Sequence, residues 1–261
     1  LLRASGFEPR HQSPPGAPEG KTNRPSVVQG VSLAGTPKLN TVGVEIEAYS
    51  ADTVALKYTG LPGNRPQTYK NFVAIWSATV IPWTAPPLRQ VEIPSNSESG
   101  TVIIDGLTIT KSGYIIGYGV GSTITTICAS AVMNPGDQTS PAAAPSPQSV
   151  QINVQYVGTN SVAVTYQALT GYLPHTSDNW VGLWRGMVSP YNSPKPLGVA
   201  VIPKDSTEGT VAINNVEIGI NSTYTLIYFM GNSALSQNNT MAAAMLTFNT
   251  SESNPSNSTR P

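Results

Sequence analysis

The chain repeats itself. Asp52–Tyr58 (DTVALKY) returns as Asn160–Tyr166 (NSVAVTY) 108 positions later, and Asn71–Trp76 (NFVAIW) returns as Asn179–Trp184 (NWVGLW) at the same spacing. Pro82-Trp83 and Pro190-Tyr191 keep that spacing too. Further on, Gly100–Leu107 (GTVIIDGL) matches Gly209–Val216 (GTVAINNV) at 109, and Gly113–Tyr118 (GYIIGY) matches Thr223–Tyr228 (TYTLIY) at 110. Segments matching in one order, with a spacing that drifts by single residues, mark an internal duplication. Any fold assigned to the chain must therefore be one that about 100 residues can make twice.

Within each copy the periodicity is that of strands. Apolar residues alternate with polar ones in VEIEAY, TVALKY, INVQY and SVAVTY, and LPGNRP, PSNSESG and PKDSTEG supply turns between such runs. Glycine and proline, 23 each in 261 residues, suit many short strands joined by turns and disfavour long helices. Roughly seven strands per copy without intervening helical patterns predict an all-β chain of two tandem immunoglobulin-like antiparallel β-sandwiches. The Cys…Trp…Cys spacing of antibody domains is absent, and with one cysteine, Cys128, no intrachain disulfide can form. Cys128 lies in a β-rich apolar stretch and is expected to be a small buried hydrophobe.

The expected boundaries follow from composition. Residues 1–40 form an extended N-terminal arm, polar and Pro-rich until Val27, Val28, Val31 and Leu33 give its end strand character. Repeat 1 covers 41–133, and a Pro/Ala/Ser linker covers 134–149. Repeat 2 covers 150–249, and a polar tail runs over 250–261. The opening LLRASG is too short an apolar run for a signal-peptide core, and no apolar run approaches the ~18–20 residues of a membrane-spanning helix.

The second copy carries a family resemblance. VTYQALTGYLPHTSDNWVGLWRG, followed by STYTLIYFMGNSALSQNNTMAAAMLTF, resembles SKICH-type β-sandwich domains. Those carry a D-W-V-G-(I/L)-aromatic strand and a later Y-x-F-x-Y…G-x-S strand pair. A related motif marks the non-catalytic, fibronectin-like domain of purple acid phosphatases. The first copy departs from it, with Phe72 for Trp180 and Ala74 for Gly182. The resemblance implies interaction or spacer modules without catalysis of their own, and it names no ligand.

Several kinds of chemistry lack their residues. Charged residues are 11% of the chain and the net charge is zero, so the basic field that nucleic-acid binding requires is missing. The two histidines, His11 and His175, and Cys128 have no metal-ligand spacing, and no calcium-loop alternation of acids occurs. Neither a metal nor a cofactor is expected. His175 could meet Asp178, but no nucleophile elbow accompanies them, and a solvent-facing loop histidine is the plainer reading. GYGVGST (Gly117–Thr123) looks like a phosphate loop, yet TITTICAS after it reads as a strand, so a hairpin is expected. Four N-x-S/T sequons, at Asn221, Asn238, Asn249 and Asn257, signal glycosylation only in a secretory eukaryotic setting.

What remains are aromatics and the arm. Trp180 and Trp184 alternate with Val181 and Leu183, so both faces of that strand are apolar. The counterpart Phe72, Ala74, Trp76 keeps the large–small–large order. These four aromatics, Phe72, Trp76, Trp180 and Trp184, are read as core of a strand buried on both sides or covered by another module; the other reading is a platform for a sugar ring or partner chain. Trp83 and Tyr191, in the Pro-rich loops VIPWTAPPL and VSPYNSPKPL, are candidate contact residues, unless each ring folds back on its own sandwich. Val27, Val28, Val31 and Leu33 are contact candidates of another kind, a strand able to add to an open sheet edge of its own chain or a neighbour's. If the neighbour is used, deleting residues 1–35 abolishes oligomers.

The expected function is therefore a non-enzymatic extracellular or cell-surface protein that binds a protein partner or self-assembles. The alternative is a lectin-like carbohydrate-binding protein using the loop aromatics. No nucleic-acid partner is expected.

Overall fold

The computed structural model describes residues 30–136, 148–231 and 240–253. Val27, Val28 and His11 lie outside these residues, as does most of the linker. The chain is all-β, and the two stretches of similar sequence form strands in the same order.

Repeat 1 runs β2 (Gly43–Tyr49), β3 (Val54–Thr59), β4 (Phe72–Trp76), β5 (Arg89–Glu92), β6 (Ser99–Ile104), β7 (Tyr114–Gly119) and β8 (Ile127–Met133). Repeat 2 runs β10 (Gln151–Val157), β11 (Ser161–Gln167), β12 (Trp180–Arg185), β13 (Gly198–Val201), β14 (Glu208–Asn214), β15 (Thr223–Phe229) and β16 (Ala242–Ser253). In repeat 1 the sheet β2-β3-β6 accompanies β5-β4-β7-β8; in repeat 2 β10-β11-β14 accompanies β13-β12-β15-β16. All pairings are antiparallel. This is the immunoglobulin-like sandwich layout predicted from the periodicity.

The alternation places the cores. On β3, Val54, Leu56 and Tyr58 are buried while Lys57 and Thr59 are exposed, and β11 repeats this with Val162, Val164 and Tyr166. Even the irregularities are duplicated. β2 slips register between Ile46 and Ala48, and β10 slips between Val154 and Tyr156. β8 bulges at Cys128 and β16 at Ala243, where β7 and β15 pair on either side. Cys128 is fully buried, and burial holds its thiol well above its ordinary pKa.

Two further strands connect the copies. β1 (Gly30–Thr41) precedes repeat 1 but pairs with β16 of repeat 2, from Gly30 against Ser253 to Thr41 against Ala244. β9 (Gln148–Ser149) precedes repeat 2 but pairs with β8 of repeat 1. The same bond follows each: Val42 N–H donates to the Ala243 carbonyl at 3.1 Å, and Val150 N–H donates to the Cys128 carbonyl at 2.8 Å. Each copy thus lends its leading strand to the other's last strand, and the two ends of the described chain meet.

The arm therefore adds to an edge of its own chain, and the pairing needs no second copy. Val31 is buried against β16, whereas Leu33, opposite Thr250, is part-exposed. β16 continues beyond residue 249 to Ser253 because β1 supplies a partner for its last residues, and Thr250 is buried.

Candidate functional site

Every residue of β4 and all of β12 but Arg185 are buried, because apolar side chains pack on both faces of these strands. Val73 and Ile75 face the inner core. Phe72, Ala74 and Trp76 form a separate apolar cluster with Ile81, Ile115 and Ile127, and that cluster includes Leu169 from repeat 2. On β12, Trp180 stacks on Phe229 with centroids 4.2 Å apart, and Trp184 tilts against the same ring at 6.3 Å. Gly182 lies between them, where a Cβ would fall 2.4 Å from the Trp184 ring. The indoles are tied by equivalent bonds: Trp76 Nε1–H donates to the Ala85 carbonyl at 3.1 Å, Trp184 Nε1–H to the Pro194 carbonyl at 2.6 Å. All four aromatics read as core are buried.

The loop tips close the seam reciprocally. Trp83, on the loop after β4, crosses to repeat 2, where Nε1–H donates to the Thr170 carbonyl at 3.0 Å and the ring lies 4.8 Å from Tyr172. Tyr191, on the loop after β12, crosses to repeat 1 and stacks on Tyr69 at 5.3 Å. Beside it Ser189 Oγ donates to the Pro62 carbonyl at 3.3 Å. Thr170 and Pro62 are duplicates of one position, so each loop grips the same loop of the opposite copy. Gly171 and Gly63 follow them with φ of +72° and +85°. A Cβ at Gly171 would sit 3.3 Å from Trp83 Nε1, and one at Gly63 would sit 2.6 Å from Ser189 Oγ. Both glycines are required twice over, by the left-handed backbone and by the approach of the other copy.

Both rings engage the opposite copy and are part-buried. One cavity here, about 50 Å³ and lined by Ile81, Ile115, Val132 and Leu169 with Thr79 and Ser130, is well below the ~300 Å³ at which ligand pockets begin. A second, open cleft of about 450 Å³ is lined by Thr68, Tyr69, Lys70, Gly121, Ser122, Thr240 and Met241.

Composition gave no hint of a buried polar pair. Asn71 and Asn179, the residues that open the repeated NFVAIW and NWVGLW, are buried. Asn179 Oδ1 accepts from the Tyr228 hydroxyl at 2.8 Å, and its Nδ2 donates to the Tyr172 hydroxyl at 3.0 Å. The Tyr172 hydroxyl in turn donates across the seam to the Thr125 carbonyl at 2.6 Å. In repeat 1, Asn71 Oδ1 accepts from the Tyr118 hydroxyl at 3.1 Å and from Asn64 Nδ2 at 2.9 Å. Asn64 occupies the position of Tyr172, and the shorter side chain leaves Asn64 Oδ1, Asn71 Nδ2 and the Tyr191 hydroxyl buried without a protein partner. Burial raises the Tyr118, Tyr191 and Tyr228 phenols well above their ordinary range and Tyr172 to about 12. The signal was present in sequence, as a repeated Asn before the apolar strand and a repeated Tyr after it.

The His175 ring, one half of the candidate pair in sequence, bonds elsewhere. The His175 Nδ1 lies 3.0 Å from the Ile202 carbonyl, and Asp205 accepts from the Thr176 N–H and hydroxyl at 2.8 and 2.7 Å. These bonds brace a loop rather than pair His175 with Asp178. Among the described residues no three His, Cys, Asp or Glu side chains cluster as metal ligands. Gly117 and Gly119 of the glycine-rich stretch lie within β7, where Cβ atoms would strike Ile127 and Phe72.

One surface differs sharply between the copies. β5 and β13 are duplicate sheet edges. β5 is charged, with Arg89 3.7 Å from Asp105 and Lys70 3.4 Å from Glu92. β13 lies in an uncharged stretch, Pro196–Pro203, and exposes Leu197 by 46%, Val199 by 40% and Val201 by 53%. Gly198 faces inward, where a Cβ would meet Ile213 and Val216 at 2.6 Å.

No family model matches the chain, and no curated protein does, so the SKICH-type and purple-acid-phosphatase resemblance has no support from those comparisons. Among solved structures the chain is similar to Salmonella alpha-2-macroglobulin reacted with methylamine, at 13% identity and a TM-score of 0.25, over 82% of this chain and 16% of that one. A mutant of the Salmonella protein gives 13% identity and a TM-score of 0.21, covering 84% and 17%. Native Escherichia coli alpha-2-macroglobulin gives 13% and 0.22, covering 82% and 16%. The chain thus spans about a sixth of the length of those proteins.

Proposed function

We propose that the chain is a non-enzymatic structural and interaction protein of the extracellular or cell-surface space, in which two sandwiches act as one rigid body that engages other proteins through strand edges and polar loops. The carrying observation is the reciprocal seam. The aromatic tips that a lectin would present to a sugar are engaged with the opposite copy, Trp83 on Thr170 and Tyr172 and Tyr191 on Tyr69. The low charge and Ser/Thr/Asn-rich composition suit an exterior protein.

A glycan array probed with wild type and Trp83→Ala tests this reading. Binding by neither is expected. A sugar bound by wild type and lost in Trp83→Ala would establish the carbohydrate-binding alternative instead.

A further inference from the structure

Sheet edges are hazards, and most edges of this protein are blunted. β1 carries Pro37, Lys38 and a register break between Ala34 and Lys38. β2 has Glu45, Glu47 and a bulge, β10 has a bulge, β14 begins at Glu208, and β5 is bracketed by ion pairs. β6 exposes Ser99, Thr101 and Ile103, with Thr101 Oγ1 donating to Glu47 at 3.0 Å. β9 is two residues long. Among the described edges, β13 alone presents an outward row that is wholly apolar, free of charge, proline and bulge. These are the devices by which edge-to-edge pairing is ordinarily suppressed, and β13, although only four residues long, carries none of the charge, proline or bulge devices.

We propose that β13 is a homodimerisation edge, pairing antiparallel with β13 of a second copy about a two-fold axis at Val199. The proposal rests on reading the chain as an interaction protein and names its partner as itself. The register follows from symmetry. Val199 meets Val199 of the second copy, and Leu197 meets its Val201, all on one face because opposite residues of an antiparallel pair share a face. The five-stranded sheets then join edge to edge.

Three features select a second copy as occupant. A strand paired with itself must tolerate each of its charges meeting an identical strand, and Pro196–Pro203 carries none, whereas its duplicate contains Arg89 and Glu92. The net charge of zero removes long-range repulsion between copies. The apolar row also continues the apolar face of its own sheet. Val201 lies beside Trp180 and Val199 beside Gly182, on the face that carries the Trp180–Phe229 stack. A contact of this size places the dimer at the weak end of specific interfaces.

Sedimentation velocity of the full chain over a concentration series, with Val199→Lys beside wild type, tests the pairing. Wild type should shift from monomer to dimer, and Val199→Lys should weaken the dimer at least tenfold with an unchanged melting temperature. Cross-linking supplies a second measurement, since Cα atoms of opposed antiparallel residues lie within disulfide range. Val199→Cys should form a disulfide-linked dimer on mild oxidation, Gln90→Cys in the duplicate edge should not, and the buried Cys128 gives no background. Monomer at every concentration, equal cross-linking of the two cysteine variants, or a dimer that survives Val199→Lys or disappears on deleting residues 1–29 would each overturn the proposal. None of these bears on the glycan result, so the two readings fail separately.

Discussion

Trp83 and Tyr172 meet as a tilted pair across the boundary between the sandwiches, 4.8 Å apart at 53°, while the Trp83 indole bonds the backbone at Thr170. The Tyr172 hydroxyl completes the link by returning a bond to Thr125 in repeat 1. A ring from each copy is thereby held by the other copy's backbone, which couples the stability of the two sandwiches.

Trp83→Ala removes a half-buried ring and leaves the Thr170 carbonyl without its donor. A loss of about 2–4 kcal/mol is expected, measured by denaturant unfolding. The double variant Trp83→Ala/Tyr191→Ala should enlarge the radius of gyration in small-angle scattering. A double variant as compact and as stable as wild type would show that the seam is held elsewhere.

Tyr191 and Tyr228 make an internal comparison. The Tyr228 hydroxyl bonds Asn179, and the Tyr191 hydroxyl is buried without a protein partner. Tyr228→Phe strands an acceptor and should cost about 1–3 kcal/mol, while Tyr191→Phe removes an unpaired polar group and should be neutral or stabilising. Thermal unfolding of both variants reads the sign directly.

Four buried phenols set an alkaline limit. Tyr172 is raised to about 12 by burial, and Tyr118, Tyr191 and Tyr228 rise by the same cause. Unfolded tyrosine titrates near 10, so above that pH the unfolded chain holds fewer protons than the folded one. Their contribution is fully present below about pH 10 and declines as pH rises through the folded values, by up to ~1.4 kcal/mol per pH unit for each group. The tyrosinate absorbance of these four should therefore appear together with loss of β circular dichroism. Titration of all the tyrosines in a still-folded protein would contradict this.

Much of this architecture was legible because duplication and period-two alternation are local properties of a chain. β4 and β12 announced burial on both faces through Phe72-x-Ala74-x-Trp76 and Trp180-x-Gly182-x-Trp184. What covers the outer face was not legible, since Leu169 reaches the Phe72 cluster only through the relative placement of two domains. Trp83 and Tyr191 read as contact residues for the same reason that their partner stayed hidden: a loop aromatic declares exposure in one sandwich and says nothing of a second. Asn71 and Asn179 carry little signal because asparagine is so common in this chain, although these two repeat in register before a buried strand.

Because β1 pairs within its own chain, its deletion should promote association rather than abolish oligomers. β1 covers β16 along nearly its whole length, from Gly30 against Ser253 to Thr41 against Ala244. Deleting residues 1–41 removes Val31 from the core and uncovers a long ladder of backbone donors and acceptors on β16. An exposed edge of that length recruits other strands. The truncated chain, made in a Val199→Lys background so that the β13 edge is silent, should unfold at lower temperature and form larger species with time, followed by light scattering. Supplying a synthetic peptide of residues 30–41 should restore the monomer by re-pairing with β16. A truncated chain that stays monomeric at the wild-type melting temperature would mean that β1 is dispensable to repeat 2.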